Sequence, residues 1–224
     1  MKKEIQIPVD KVILTGLLAV PKETYGLILF VHGSGSSRFS PRNNFVADHL
    51  NQGRFATLLI DLLSEQEDSH YETRFDISLL TKRVVSIIEW LKKNEELKEL
   101  PLGLFGASTG AAAALKAAAQ KPDAVKAVVS RGGRPDLAKE ALAQVKAPTL
   151  LIVGGADFQV IELNEGAYQE LHCPKNLEIV PGATHLFEEP GCLLKVAQLA
   201  EKWFTLKGMA RQSPITTTSE QTNI

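Results

Sequence analysis

The sequence predicts an α/β fold in which helices cover both faces of a mostly parallel sheet of about eight strands. Several predicted strands, among them LILFVH and TLLIVG, are apolar throughout instead of alternating. Such continuous apolar character is expected of strands that are covered on both faces. Helical segments stand between these strands, and this alternation is typical of a wound sheet. Only Val9–Lys11 joins the first two strands, so we expect them to pair antiparallel.

The order of the predicted elements follows from these patterns. The predicted strands lie near Glu4–Pro8, Val12–Val20, Leu27–His32, Ala56–Ile60, Gly103–Gly106, Ala124–Ser130, Thr149–Val153 and Asn176–Val180. The predicted helices are Ile77–Leu97, Ala111–Gln120, Leu137–Gln144, Leu163–Leu171 and Leu193–Phe204. Between Ser130 and Thr149 there is room for a loop and one short helix only, so we expect no lid domain and an open, shallow site.

Length and composition indicate one ordinary globular domain. The 224 residues are 44% hydrophobic and 23% charged, with a formal net charge of −1. This balance offers no basic surface for nucleic acid or for an anionic membrane, and we expect neither as a partner. We place the domain at residues 1–206. The remainder, residues 207–224, is rich in Ser, Thr and Gln, and we expect it to be disordered.

The termini and the cysteines bear on the compartment. The start, MKKEIQIPVD, lacks the continuous apolar stretch of a signal peptide, and no run of eighteen apolar residues predicts a spanning helix. Cys173 and Cys192 show no metal-ligand spacing, so we interpret them as free thiols. A cytoplasmic protein is the resulting expectation.

The motif Gly106-Ala107-Ser108-Thr109-Gly110 fits G-x-S-x-G. The apolar segment LGLFGA precedes it and the alanine-rich segment AAAALKAAAQ follows it, as a nucleophile elbow requires. In such an elbow a strained turn lifts the serine hydroxyl above the sheet, at the N-terminus of a helix that stabilises an oxyanion. Ser108 is therefore the candidate nucleophile, and the Thr109 N–H is a candidate oxyanion donor. The alternative is a tight turn in which Ser108 merely caps the helix.

The segment His32-Gly33-Ser34-Gly35-Ser36, which we call the oxyanion loop, follows the strand LILFV directly. Glycines such as Gly33 let the backbone approach a substrate oxygen closely, and Ser34 is the candidate for the second N–H donor. We expect His32 to hold the loop. A dinucleotide-binding loop is disfavoured because Arg38 replaces the third glycine of G-x-G-x-x-G, whereas a plain flexible turn stays open.

An acid and a histidine follow later strands. Asp157 comes after TLLIV and His185 after NLEIV, so both are delivered to the carboxyl edge of the sheet. The order Ser108, Asp157, His185 is the order of a Ser–acid–His triad, in which the histidine takes the serine proton and the acid orients the histidine. Asp136 is the rival acid. The other histidines, His49, His70 and His172, are weaker candidates.

At these residues the sequence resembles the dienelactone hydrolase-like branch of the α/β-hydrolases. The stretches that carry the resemblance are HGSGSSRFSPRN, GLFGASTGAAAAL, SRGGRPDLA, APTLLIVGGADFQV and PGATHLFEEPG. The resemblance implies the α/β-hydrolase fold, the triad and hydrolase activity. Dienelactone hydrolases proper carry cysteine where this chain has Ser108, so we expect an esterase that acts on a small ester or lactone. The sequence is especially similar to a bacterial subgroup that is sometimes fused to a phosphoribosyltransferase domain. We expect the 224 residues to hold the hydrolase domain alone.

Arginines near the predicted site are candidates for binding a substrate carboxylate. Arg131 and Arg134 follow a central strand, and Arg38 follows the oxyanion loop. A guanidinium suits bidentate carboxylate recognition, and Arg131 is the candidate that we expect to favour acidic or polar esters. Solvated arginines, or pairs with Asp136 or Glu140, are the alternative.

The sequence therefore predicts a lidless serine esterase or lactonase that needs no metal and no organic cofactor. Its partner is a small-molecule ester, and the protein is a monomer or a homodimer. A thioesterase or peptidase using the same triad stays open, because triad chemistry does not fix the leaving group. The alternative from another class is a binding or scaffold module that has kept the fold without the activity.

Overall fold

The computed structural model describes residues 2–209 and 215–216. Its strands are β1 (Lys2–Val9), β2 (Val12–Ala19), β3 (Glu23–Thr24), β4 (Gly26–Val31), β5 (Phe55–Ile60), β6 (Leu102–Ala107), β7 (Val125–Arg131), β8 (Thr149–Gly154), β9 (Lys175–Val180) and β10 (Ile215–Thr216). Its α-helices are α1 (Pro41–Gln52), α2 (Glu65–Asp68), α3 (Ile77–Lys93), α4 (Thr109–Gln120), α5 (Lys139–Leu142), α6 (Phe158–Glu170) and α7 (Cys192–Phe204). Short 3₁₀ turns cover Tyr71–Phe75 and Pro135–Ala138, and a π-helical turn covers Thr205–Met209.

Eight strands form one sheet in the order β1-β2-β5-β4-β6-β7-β8-β9. The strands β1 and β2 pair antiparallel, as the short link between them predicts, and β2 also pairs antiparallel with β5. All pairings from β5 to β9 are parallel. The predicted fold class is thereby confirmed, and the carboxyl ends of six neighbouring parallel strands meet at one edge.

Successive residues of each central strand enter two different cores. In β4, Leu27, Leu29 and Val31 pack into the core that holds α3 and α4. Ile28 and Phe30 pack into the core that holds α1 and α7. Because both faces are covered, both sets of side chains must be apolar, which explains why the central strands do not alternate.

Among the long helices, α1 was not predicted and α6 starts earlier than predicted. The helix α1 starts at Pro41, behind the capping residue Ser40, and its buried positions include the polar Asn43. The helix α6 starts at Phe158, five residues earlier than predicted, with Phe158 exposed and Asn164 buried. In both helices polar residues on the buried side weaken the apolar periodicity on which sequence prediction relies.

The connection from β7 to β8 contains only the 3₁₀ turn Pro135–Ala138 and α5. As predicted, it holds no lid domain. None of the helices in the described part of the chain has the length and apolar content of a membrane span.

The C-terminal region continues past the predicted domain boundary at residue 206. Met209 is buried in the core beside α7, and β10 pairs antiparallel with β3. The other residues of the predicted tail, 210–214 and 217–224, lie outside the described residues, so the boundary and the disordered tail stay predictions.

Candidate active site

Ser108 stands between β6 and α4 with φ 51° and ψ −126°. A positive φ is strained for a residue with a Cβ atom, and such strain is typical of functional turns. The Ser108 side chain makes no capping hydrogen bond to the helix, although the residue occupies the N-cap position. The hydroxyl is therefore not used as a helix cap, which was the alternative to a nucleophile.

The nucleophile elbow, residues 106–110, has no space for larger side chains at its glycines. A Cβ atom on Gly106 would lie 2.5 Å from Ala111 Cα, and one on Gly110 would lie 2.2 Å from Val31 O. A Cβ atom on Gly33 would lie 2.9 Å from Ala107 O and 3.0 Å from Ser108 Cβ. Glycine at these positions thus lets the oxyanion loop pass directly against the elbow.

Asp157 and His185 are joined by a hydrogen bond. His185 Nδ1 lies 2.7 Å from Asp157 Oδ2, with the two side chains 38% and 15% exposed. Asp157 precedes α6 without capping it, and His185 lies in the connection between β9 and α7, residues 181–191, which we call the His185 loop. The Ala156 N–H donates to Ala183 O at 2.9 Å, so the two loops are also tied through their backbones.

The rival acid is engaged elsewhere. Arg134 donates from Nε and Nη2 to the two carboxylate oxygens of Asp136, at 2.9 and 2.7 Å. The geometry therefore brings Asp157, and not Asp136, to His185. Arg134 is likewise the partner of a carboxylate, as the alternative interpretation of the arginines expected.

Ser108 and His185 line a common cavity of about 200 Å³ at the carboxyl edge of the sheet. In the described chain no hydrogen bond joins the two side chains, a common state of catalytic groups before substrate binds. The other lining residues are Gly33, Ser34, Ser36, Ser40, Arg42, Ala107, Arg131 and Leu186.

The two predicted oxyanion donors differ in their surroundings. The Thr109 N–H is the first of α4 and has no intrahelical acceptor, so it is available to a ligand. The Ser34 N–H donates to Thr109 Oγ1 at 2.9 Å. A substrate oxygen would have to replace that hydroxyl, and the role of Ser34 as a donor stays a prediction. Thr109 Oγ1 therefore also binds the backbone of the oxyanion loop, a role that the sequence did not reveal.

His32 is buried and holds the oxyanion loop, which agrees with the structural role that we expected. Its Nε2 accepts from the Leu62 N–H at 3.1 Å, and its Nδ1 lies 2.9 Å from Gly33 O. Burial lowers the pKa of His32, so the ring is neutral and Nδ1 carries the proton that Gly33 O accepts.

Arg131 lines the cavity and is 7% exposed. Its Nη2 donates to Asn43 Oδ1 at 3.3 Å, and its Nε has no hydrogen-bond partner among the described residues. Burial, and secondarily the charge of Arg42, lower the pKa of Arg131 to about 10, which leaves it charged at neutral pH. Arg131 makes no ion pair with a carboxylate in the part of the chain that is described.

Arg38 does not line the cavity, where the sequence suggested a role for it in substrate binding. The Arg38 guanidinium pairs with Asp61 and Glu4, and Arg38 is not a lining residue of the cavity. Arg42, which sequence reasoning missed, lines the cavity instead. Its position depends on α1, whose weak apolar pattern gave no clear signal for the direction of this side chain.

No group of three or more His, Cys, Asp or Glu side chains within residues 2–209 is arranged to hold a metal ion.

Comparisons with known proteins agree with this architecture. The dienelactone hydrolase from Anabaena variabilis ATCC 29413 is 53% identical, with a TM-score of 0.89 over 92% of this chain and 97% of that one. Est1E from Butyrivibrio proteoclasticus is 17% identical and shares the fold, with a TM-score of 0.78 over 91% of this chain and 98% of that one.

Two curated relatives come from strains CDC 1551 and H37Rv of Mycobacterium tuberculosis, and each is named a "putative phosphoribosyl transferase". Each is 52% identical over 202 residues, which are 90% of this chain but only 46% of the relative. The chain thus spans less than half the length of these relatives. The model of the dienelactone hydrolase family matches residues 14–204. The chain therefore belongs to the dienelactone hydrolase family.

Proposed function

We propose that the protein is a serine hydrolase that cleaves a small carboxylic ester or lactone through an acyl-enzyme on Ser108. The observation that carries the proposal is the 2.7 Å hydrogen bond between His185 Nδ1 and Asp157 Oδ2, next to a strained Ser108 in the same cavity. A serine hydroxyl is a poor nucleophile by itself and needs such an oriented base.

The proposed reaction has two acyl-transfer steps. Ser108 Oγ attacks the ester carbonyl carbon while His185 Nε2 takes its proton, and the Thr109 and Ser34 N–H groups stabilise the oxyanion. Collapse of the tetrahedral intermediate expels the alcohol, which receives that proton. Water then attacks the acyl-enzyme with His185 again as base, which releases the acid and regenerates Ser108.

Two findings favour a small ester or lactone. The cavity has a volume of about 200 Å³ and no lid domain above it. The relative from Anabaena variabilis, at 53% identity, is a dienelactone hydrolase. The name of the mycobacterial relatives describes proteins of which this chain covers 46%, and the matched segment overlaps the dienelactone hydrolase match over most of its length. We therefore propose no phosphoribosyl transfer for this chain.

The test of the function is Ser108→Ala. This variant should lose turnover of p-nitrophenyl acetate and covalent labelling by a fluorophosphonate, because both require the Ser108 hydroxyl. Ser86→Ala, in α3 and outside the cavity, is the matched control and should be labelled like the wild type. Undiminished labelling of Ser108→Ala would refute the nucleophile. A wild type that no fluorophosphonate labels and that cleaves no acyl substrate would favour the scaffold alternative.

We further propose that Arg131 binds a carboxylate of the substrate. Its guanidinium is charged and buried, and its Nε is unpartnered in the described chain. A buried charge without a counter-ion is unfavourable, and an anionic ligand in the cavity would relieve this cost.

Arg131→Ala tests this role with mono-p-nitrophenyl succinate and with its neutral methyl ester. The loss of kcat/KM should be about 10- to 100-fold larger for the succinate monoester, the range expected for a hydrogen bond to a charged group. Arg134→Ala, whose guanidinium is paired with Asp136, is the control. An equal loss of kcat/KM on both substrates would refute this role of Arg131.

A further inference from the structure

A second arginine at the cavity has a carboxylate partner that comes from the His185 loop. Arg42 Nη1 lies 2.6 Å from Glu188 Oε1, with the two side chains 31% and 61% exposed. Arg42 lies in the first turn of α1, and Glu188 follows His185 by three residues. The ion pair therefore connects the side of the cavity formed by α1 with the loop that carries the triad histidine.

Arg42 is only partly satisfied by this contact. Its Nε is buried without a hydrogen-bond partner among the described residues, as is the Nε of Arg131. The two guanidinium groups are close enough for the charge of Arg42 to lower the pKa of Arg131. Two like charges face one small cavity, and of the two only Arg42 has an ion pair in the described chain.

The neighbours of Glu188 fix the loop without it. Glu189 Oε1 accepts from Thr184 Oγ1 at 2.6 Å, Phe187 is fully buried, and His185 is bonded to Asp157. The Glu188 side chain is exposed and contacts Arg42, a residue that lines the cavity. Separation of Glu188 from Arg42 would break none of these three contacts.

We propose that Glu188 is a specificity-determining residue that competes with an anionic substrate group for Arg42. In the unliganded protein Glu188 neutralises Arg42. A substrate carboxylate bound at Arg131 gains Arg42 as a second partner only when Glu188 gives it up. Glu188 therefore weakens binding of carboxylate esters relative to neutral ones. The inference rests on the proposed function and extends it to the choice between substrates.

Glu188→Gln keeps the shape of the side chain and removes its charge. The ratio of kcat/KM for mono-p-nitrophenyl succinate to kcat/KM for its neutral methyl ester should rise about two- to fivefold, the range set by exposed ion pairs. The rise should lie in KM and should shrink with added salt, because salt screens exposed charges. A purely structural anchor of the His185 loop would change kcat for both esters equally, and an unchanged or lowered ratio overturns the proposal.

Two further variants locate the effect. In an Arg42→Gln background the gain from Glu188→Gln should vanish; a gain that persists would mean that Glu188 does not act through Arg42 and would overturn the proposal. Glu23→Gln removes the carboxylate from a pair of similar exposure, Arg54 and Glu23 at 2.7 Å, next to the amino end of β4. It should leave the ratio unchanged, and an equal rise there would reduce the effect to net charge and overturn the proposal.

Failure of this inference differs from failure of the proposed function. In the second case the wild type is neither labelled by a fluorophosphonate nor active on either ester. Protection of Ser108 from the fluorophosphonate by succinate needs no turnover and gives a second readout. Half-maximal protection should require about two- to fivefold less succinate in Glu188→Gln. Equal protection of the two proteins contradicts the competition.

Discussion

Replacing Gly110 by alanine tests the close contact between the nucleophile elbow and the oxyanion loop. The added Cβ atom would lie 2.2 Å from Val31 O and 2.3 Å from His32 O, whereas ordinary contacts begin at 3.4 Å. The backbone before Gly33 would therefore have to retreat by about 1 Å, a displacement that can lower catalysis about 100-fold. Because both obstacles are backbone atoms, overpacking should also cost about 1–3 kcal/mol of unfolding free energy.

Urea unfolding and the kcat for p-nitrophenyl acetate measure the two effects of Gly110→Ala. Gly166→Ala is the matched control, because a Cβ atom there meets nothing within 4 Å and the residue lies inside α6. It should stabilise the protein by about 0.5–1 kcal/mol and leave kcat unchanged. A Gly110→Ala protein as stable as the wild type, with kcat within threefold, would refute the tight contact as the reason for this glycine.

Two further predictions concern the triad and its supporting loop. Asp157→Asn should lower kcat about 10⁴-fold with little change in folding, because the amide no longer holds the His185 tautomer. The rate of fluorophosphonate labelling checks this, and a fall in that rate of less than tenfold would contradict the role of the acid. The free energy of unfolding should fall below pH 6.5 at up to about 1.4 kcal/mol per pH unit, because burial lowers the pKa of His32 from 6.5 and only the unfolded chain then takes up that proton. Urea unfolding between pH 5 and pH 7.5 should show a shallower slope for His32→Gln than for the wild type, and identical slopes would exclude His32 as the cause.

The sheet could be predicted from the sequence because its strands are apolar on both faces. The nucleophile elbow could also be predicted, because small residues surround Ser108 and a predicted strand and a predicted helix flank it. Asp157 and Asp136 both follow strands, so the sequence favoured Asp157 and left Asp136 as a rival. The packing of the His185 loop against the end of β8, where Gly154 and Ala156 meet Ala183, brings Asp157 to His185.

The charged part of the site was harder to predict. Arg38 and Arg42 are four residues apart on either side of the start of α1, and their directions depend on where that helix begins and on Asp61 and Glu188. The engagement of the Ser34 N–H by Thr109 Oγ1 joins residues 75 positions apart. Such contacts arise from tertiary packing, which leaves no periodic pattern in the sequence.

Backbone hydrogen bonds join Ser108 to the end of β7, where Arg131 lies. The Ser108 N–H donates to Arg131 O at 3.2 Å, and the Arg134 N–H donates to Ser108 O at 3.1 Å. Ser108 and Arg131 are therefore joined through their backbones, whereas Arg42 and Glu188 come from α1 and the His185 loop. For protein engineering this separation divides the site in two. Libraries at positions 42 and 188 would test whether the preference for charged esters can be varied while the backbone hydrogen bonds that join Ser108 to the end of β7 stay unchanged.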